Sequence, residues 1–199
     1  HRSTDGGRTF TTTEVQSFTS TMATDRHQPN VIFASGGNGL NGPPLLVKSV
    51  DGGQSFDPAL VSFGIVNGII VDPSDSNILY VAGILQLDFG KPYPTPQEIN
   101  FVLTSSDGGV TFHDADSGIA SPVLALAIDA RNLSRLFALT SSGVYKTEDR
   151  GATWTLLDAG GETMHRAWQE ALLVADPHEA NLFYVGGMSL LEVVVGRTR

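Results

Sequence analysis

The sequence predicts an all-β protein assembled from about four repeated, four-stranded antiparallel blades, and three observations predict it. A short segment around an aspartate recurs four times without gaps. A second segment recurs four times between copies of the first. The apolar runs are short and are flanked by Gly and Asp-Pro breakers, which disfavours buried helices. Interleaved repeats of this kind are the signature of blades set around an axis, a β-propeller. The 199 residues then make one propeller domain or part of one. Its blades fall at about 17–63, 64–117, 118–160 and 161–199, with an N-terminal strand at 8–16.

The first repeat, called the box below, reads STDGGRTF from Ser3, SVDGGQSF from Ser49, SSDGGVTF from Ser105 and TEDRGATW from Thr147. Its aspartates are Asp5, Asp51, Asp107 and Asp149, spaced 46, 56 and 42 residues apart. A short carboxylate accepts hydrogen bonds from amides two or three residues on and so fixes a tight turn. The shared glycine (Gly7, Gly53, Gly109, Gly151) suits a positive φ. The closing aromatic (Phe10, Phe56, Phe112, Trp154) opens the next strand and can fill space between neighbouring sheets. In the last copy Arg150 replaces the first glycine, so that position tolerates a side chain.

The second repeat reads TDRHQPNVIFASG from Thr24, VDPSDSNILYVAG from Val71, IDARNLSRLFALT from Ile128 and ADPHEANLFYVGG from Ala175. In each, an aspartate (Asp25, Asp72, Asp129, Asp176) precedes Asn30, Asn77, Ser134 or Asn181 by five residues, and an apolar run follows. One unit is therefore strand, aspartate turn, strand, variable loop, strand, box, strand. In the third unit the strands are expected near 122–128, 135–140, 143–148 and 153–157. The first strand of a unit is almost continuously apolar, as at 68–71, 123–128 and 171–175. Continuity implies burial on both faces, the condition of the innermost strand of a blade.

With these two repeats the chain resembles the Asp-box (BNR) repeat propellers, which include sialidases, xyloglucanase-type glycoside hydrolases, sortilin-type receptors and the photosystem II assembly propeller. The resemblance covers essentially the whole chain. It implies the fold and leaves function open, because such propellers host unrelated activities. Four blades would be few for such a propeller, so a piece of a six- to eight-bladed ring, or two chains sharing one ring, is expected at least as readily as a closed four-blade ring. LLEVVVGRTR at 190–199 matches a strand leading into a box, and His1 stands just before one, so one unit is expected to be split between the ends. Pairing of the N-terminal strand with the last blade, a missing segment or another chain would complete the ring. Sialidases combine their boxes with an arginine triad, an Arg-Ile-Pro segment and a Tyr/Glu nucleophile pair. This chain has no Arg-Ile-Pro.

Acidic residues outnumber basic ones by 21 to 12, giving a formal charge of −9. Such a surface repels phosphate, so nucleic acid and anionic membrane are not the expected partners. No apolar run reaches the roughly 18 residues a spanning helix needs. Cysteine is absent, which excludes disulfides and thiolate metal sites. The histidines show no paired ligand spacing, so neither a metal nor a cofactor is expected. The Gly-Gly pairs lack the following helix of a phosphate loop.

Antiparallel alternation puts the boxes and the aspartate turns on one face. The long insertions then fall on the opposite face, at about 84–100 and 158–169. Variable loops on a rigid scaffold commonly carry binding residues. From these loops Tyr93, His165, Arg166 and Trp168 are the candidate ligand contacts. Trp168, just before an inner strand, can stack on a sugar ring or simply cover the core. Asp88, Glu98, Glu162 and Glu170 are the candidates for the carboxylate pair a glycosidase requires. Exposed loop carboxylates are more commonly just solvated, so the reading leans away from an enzyme. The expected function is a non-catalytic module, secreted, cell-surface or periplasmic, that binds a protein or glycan or packs in a larger assembly. The alternative is a fragment of a xyloglucanase-like glycoside hydrolase.

Overall fold

A computed structural model describes residues 1–12, 18–37, 44–57, 65–86, 98–158, 171–179, 182–187 and 190–195. These form four antiparallel sheets and, among the described residues, no helix. Blade 1 holds β1 (Phe18–Thr24), β2 (Ile32–Gly37) and β3 (Pro44–Ser49). Blade 2 holds β4 (Ile65–Val71), β5 (Leu79–Gln86), β6 (Glu98–Ser105) and β7 (His113–Asp114). Blade 3 holds β8 (Val123–Ile128), β9 (Leu136–Thr140), β10 (Gly143–Thr147) and β11 (Thr155–Asp158). Blade 4 holds β12 (Leu172–Ala175), β13 (Leu182–Gly187) and β14 (Leu190–Val195). The strands of blade 3 lie within two residues of the sequence expectation.

Within each sheet consecutive strands pair in simple up-and-down order. The first strands pack side by side in the order β1, β4, β8, β12, forming the inner layer of an arc of blades. Three apolar clusters fill the gaps between successive blades. Between blades 1 and 2 lie Phe33, Leu46, Ile69 and Val81. Tyr80, Val102, Leu126 and Trp154 fill the gap between blades 2 and 3, and Phe137, Leu139, Leu173 and Phe183 the last one. Five of the six residues of β8 are buried, which is why its sequence, VLALAI, runs apolar without alternation.

Three of the four inner strands share a feature that the repeats do not announce. Register shifts fall between Thr19 and Thr21, Val66 and Gly68, and Val123 and Ala125. Each bulge sits at the same place, five residues before the turn aspartate. A bulge bends its strand and redirects one side chain. In blade 2 that residue is Asn67, whose Nδ2 donates to the Val123 carbonyl of blade 3 at 2.8 Å. Nearby, Gly83 lies so close to the bulged strand that a Cβ would stand 1.9 Å from the Ile65 carbonyl oxygen.

Candidate functional site

Each box is a closed hydrogen-bond circuit. In the box of blade 1, Ser49 Oγ donates to Asp51 Oδ1 at 2.8 Å and accepts from the Gly53 amide at 2.8 Å. Asp51 Oδ1 also accepts from the amides of Gln54 and Ser55, at 2.8 and 2.9 Å. Its Oδ2 takes the Ser55 hydroxyl at 2.6 Å. The same bonds recur around Asp5 and Asp107. Asp149 keeps all but the amide three residues on. The carboxylate thus reaches amides three and four residues on, where the sequence suggested two or three. The reason is competition: the hydroxyl two residues before the aspartate already holds the amide two residues after it.

These donors stabilise the ionised form. With the Thr9 hydroxyl as the main cause, the Asp5 carboxyl is lowered to about 2. Asp149 is also lowered to about 2, chiefly by the Thr147 hydroxyl. The hydroxyls of Ser55 and Thr111 hold Asp51 and Asp107 well below the usual carboxylate range. The four shared glycines all have positive φ, between 82° and 92°. Arg150 takes the place of a glycine at φ 62°, the one non-glycine residue with positive φ among those described.

The aspartate turns use a different circuit. Asp25 and Asp176 each accept from the amides two and three residues on. Asp72 and Asp129 accept from the amide two residues on. The second carboxylate oxygen finds a side-chain donor in blades 3 and 4. Asp129 Oδ2 takes Arg135 Nη1 at 3.0 Å, and Asp176 Oδ2 takes the Tyr184 hydroxyl at 2.8 Å. Tyr80 occupies the place in blade 2 that Tyr184 holds in blade 4, yet its hydroxyl and Asp72 Oδ2 are both buried without a hydrogen-bond partner among the described residues. Burial, above all, pushes the Tyr80 phenol up.

The two repeats meet inside blades 1, 2 and 3. The amide of the first box glycine donates to the carbonyl of the asparagine that ends the aspartate turn: Gly52 to Asn30 at 2.8 Å and Gly108 to Asn77 at 2.9 Å. In blade 3 the amide of Arg150 donates to Ser134 at 3.0 Å. The backbone, not the side chain, makes this bond, so arginine can serve where glycine stands elsewhere. Side chains then link neighbouring blades along the same face. Lys48 Nζ donates to the Gly108 carbonyl at 3.0 Å, His27 Nε2 to the Pro73 carbonyl at 2.8 Å, and Arg131 Nη1 to the His178 carbonyl. The box carboxylates are therefore consumed by their own turns. Among the described residues no group of three or more His, Asp or Glu could hold a metal.

The opposite face is defined by the strand ends that carry the insertions. The β5–β6 ladder continues to the pairs Leu85–Ile99 and Gln86–Glu98, so the loop expected over 84–100 gives up its ends to strands. Glu98 is thus the first residue of β6, opposite Gln86. Asp88, Tyr93, Glu162, His165, Arg166, Trp168 and Glu170 lie outside the described residues. Sequence reasoning passed over Asn67 and Asn100. These stitch blade 2 to the next through the carbonyls of Val123 and Ile119. An amide inside an otherwise apolar strand was the available signal.

No protein-family profile matches the chain, and no curated protein does either. Solved structures do. An ancestral GH74 enzyme superposes with a TM-score of 0.60 at 21% identity over 93% of this chain and 26% of its own. A nidogen/laminin complex gives 0.55 at 16% identity, over 83% of this chain and 54% of its own. YCF48 bound to D1 peptide gives 0.52 at 16% identity, over 91% and 54%. The chain has a propeller-type all-β fold and spans about a quarter to a half of these neighbours. At these identities the likeness is one of fold.

Proposed function

We propose that this chain is a non-catalytic Asp-box propeller module of the cell exterior, which binds a protein or glycan through its insertion face. The observation that carries the reading is the saturation of the box carboxylates. All four are bound to amides and hydroxyls of their own turns. They form the scaffold and leave recognition to the face that differs from blade to blade. Two fold neighbours were solved with protein partners, which supports a protein ligand ahead of a glycan. The fold of the GH74 enzyme favours one alternative, a piece of a glycoside hydrolase using Asp88 and Glu98. Assay on aryl glycosides and a polysaccharide panel, with Asp88→Asn and Glu98→Gln variants, separates the two. The binding reading expects no turnover. Turnover that both variants abolish would refute it.

A further inference from the structure

Of the eight asparagines in the sequence, one opens an Asn-x-Ser/Thr triplet whose middle residue is not proline. It is Asn132, followed by Leu133 and Ser134. The triplet lies in the aspartate turn of blade 3, and the other three turns set it apart. Three residues after the aspartate stand Gln28, Asp75, Asn132 and Glu179; five after it stand Asn30, Asn77, Ser134 and Asn181. Only blade 3 therefore has a side-chain amide and a hydroxyl in this spacing. Crowding by Arg150 does not account for the serine. A Cβ on Gly52 would meet Asn30 Oδ1 at 3.4 Å, and one on Gly108 would meet Asn77 Oδ1 at 3.8 Å. Both are ordinary contacts, so a Cβ at the place of Arg150 leaves room for an asparagine at 134.

Asn132 is exposed, and the fold uses one of its two side-chain polar atoms. Oδ1 accepts from the Ser134 amide at 3.2 Å, which makes an Asx turn. Nδ2 donates to no described residue, and the Ser134 hydroxyl bonds none either. The backbone beneath is held by other means. The Asn132 amide donates to the Asp129 carbonyl at 3.1 Å, and the Arg135 amide to the Asn132 carbonyl at 2.8 Å. The Arg131 amide donates to Asp129 Oδ1 at 2.9 Å. In blade 2 Asp75 does the work of Asn132, its Oδ1 accepting from the Asn77 amide at 2.9 Å. The turn thus calls for an oxygen at this place and leaves the nitrogen of Asn132 spare.

We propose that Asn132 is the acceptor of an N-linked glycan. Its Nδ2 attacks C1 of an oligosaccharide carried on a lipid diphosphate. The C1–Nδ2 bond forms, the bond from C1 to the diphosphate oxygen breaks, and the diphosphate leaves on its lipid. The Nδ2 proton passes to the transferase. The inference rests on the exterior reading above, because the chain meets such a donor on its way out of the cell. The glycan stands on the face of the turns, where the repeats are alike. It leaves the insertion face open to a partner.

Expression of the 199-residue chain behind a secretion leader in a eukaryotic host tests the site and the exterior reading separately. Peptide N-glycosidase in heavy-oxygen water should release a glycan and leave labelled aspartate at position 132, read by mass spectrometry. Asn132→Asp keeps the turn oxygen, as Asp75 does, and should abolish the modification with unchanged circular dichroism. Ser134→Ala deletes a hydroxyl that the fold does not use and should abolish it too, whereas Ser134→Thr should retain it. A secreted, folded wild-type chain without a glycan at Asn132 overturns the site and leaves the exterior reading standing. A glycosylated chain that the cell retains supports the site and counts against the exterior reading alone. A chain both retained and bare refutes both. A glycan that survives in Asn132→Asp or in Ser134→Ala also overturns the proposal.

Discussion

Trp154 Nε1 donates to the Ala115 carbonyl at 2.8 Å, across the gap between blades 3 and 2. The segment it meets is shaped to receive it. The Trp154 amide donates to the Ser117 carbonyl at 2.8 Å, and Gly118, at φ 100°, would put a Cβ 2.3 Å from the Trp154 carbonyl oxygen. Trp154→Ala should therefore destabilise the fold by about 3–5 kcal/mol in urea unfolding. Trp154→Phe keeps the ring but orphans the buried carbonyl, and should cost about 1–3 kcal/mol.

Arg150 offers the reverse change. Its φ of 62° is strained for a residue with a Cβ, and the other three boxes have glycine there at 73–74°. Its useful contribution at this place is the amide bond to Ser134, which glycine preserves. Arg150→Gly should leave stability unchanged or raise it by up to about 1 kcal/mol, measured as the midpoint of thermal unfolding. A clear loss would show that the guanidinium contributes more than the strain costs.

The tyrosines at equivalent places in blades 2 and 4 should respond differently to losing a hydroxyl. Tyr184→Phe removes a 2.8 Å bond to Asp176 and should cost about 1 kcal/mol. Tyr80→Phe removes a buried hydroxyl that bonds no described residue, and should be neutral or slightly stabilising. Phe33 and Phe137 already occupy this place in blades 1 and 3. Chemical denaturation of the two variants side by side decides the matter.

Acid should act late on the box turns. An unfolded aspartate titrates near 3.9, whereas Asp5 and Asp149 are lowered to about 2 in the fold. A depressed folded value contributes stability that is fully present above the unfolded pKa and is lost as pH falls through the folded one. The box contribution should hold at pH 5 and above, decline below about 4, and be spent near 2. Exposure of these carboxylates to solvent keeps each share small. Melting temperatures from pH 7 to 2 report it, and Asp107→Asn should flatten the low-pH limb slightly.

The boxes were legible because their chemistry is local. Every bond from Ser49, Asp51 and Ser55 spans two to four residues, so the pattern and the turn are the same object. The inner strands were legible for a related reason, since burial on both faces writes an unbroken apolar run. The bulges before Asp25, Asp72 and Asp129 were not, because register is decided between strands and leaves no fixed residue type: Ser20, Asn67 and Leu124 stand at the bulge. The different fates of Asp72 and Asp176 were not legible either, because a tyrosine stands eight residues after each and only Tyr184 reaches its aspartate. Residues 87–97 have no matching stretch in the other repeats, so comparison among repeats could rank them only by chemical type.

The bond from the Gly108 amide to the Asn77 carbonyl begins and ends within one blade, as do its counterparts at Asn30 and Ser134. Copying or deleting a whole blade would carry that bond along intact and leave the apolar seam, with the few side-chain bonds that cross it, to be rejoined. A single residue inserted between Asp107 and Thr111 would break the circuit at once. The spacing of the eight box residues is therefore held by their own hydrogen bonds.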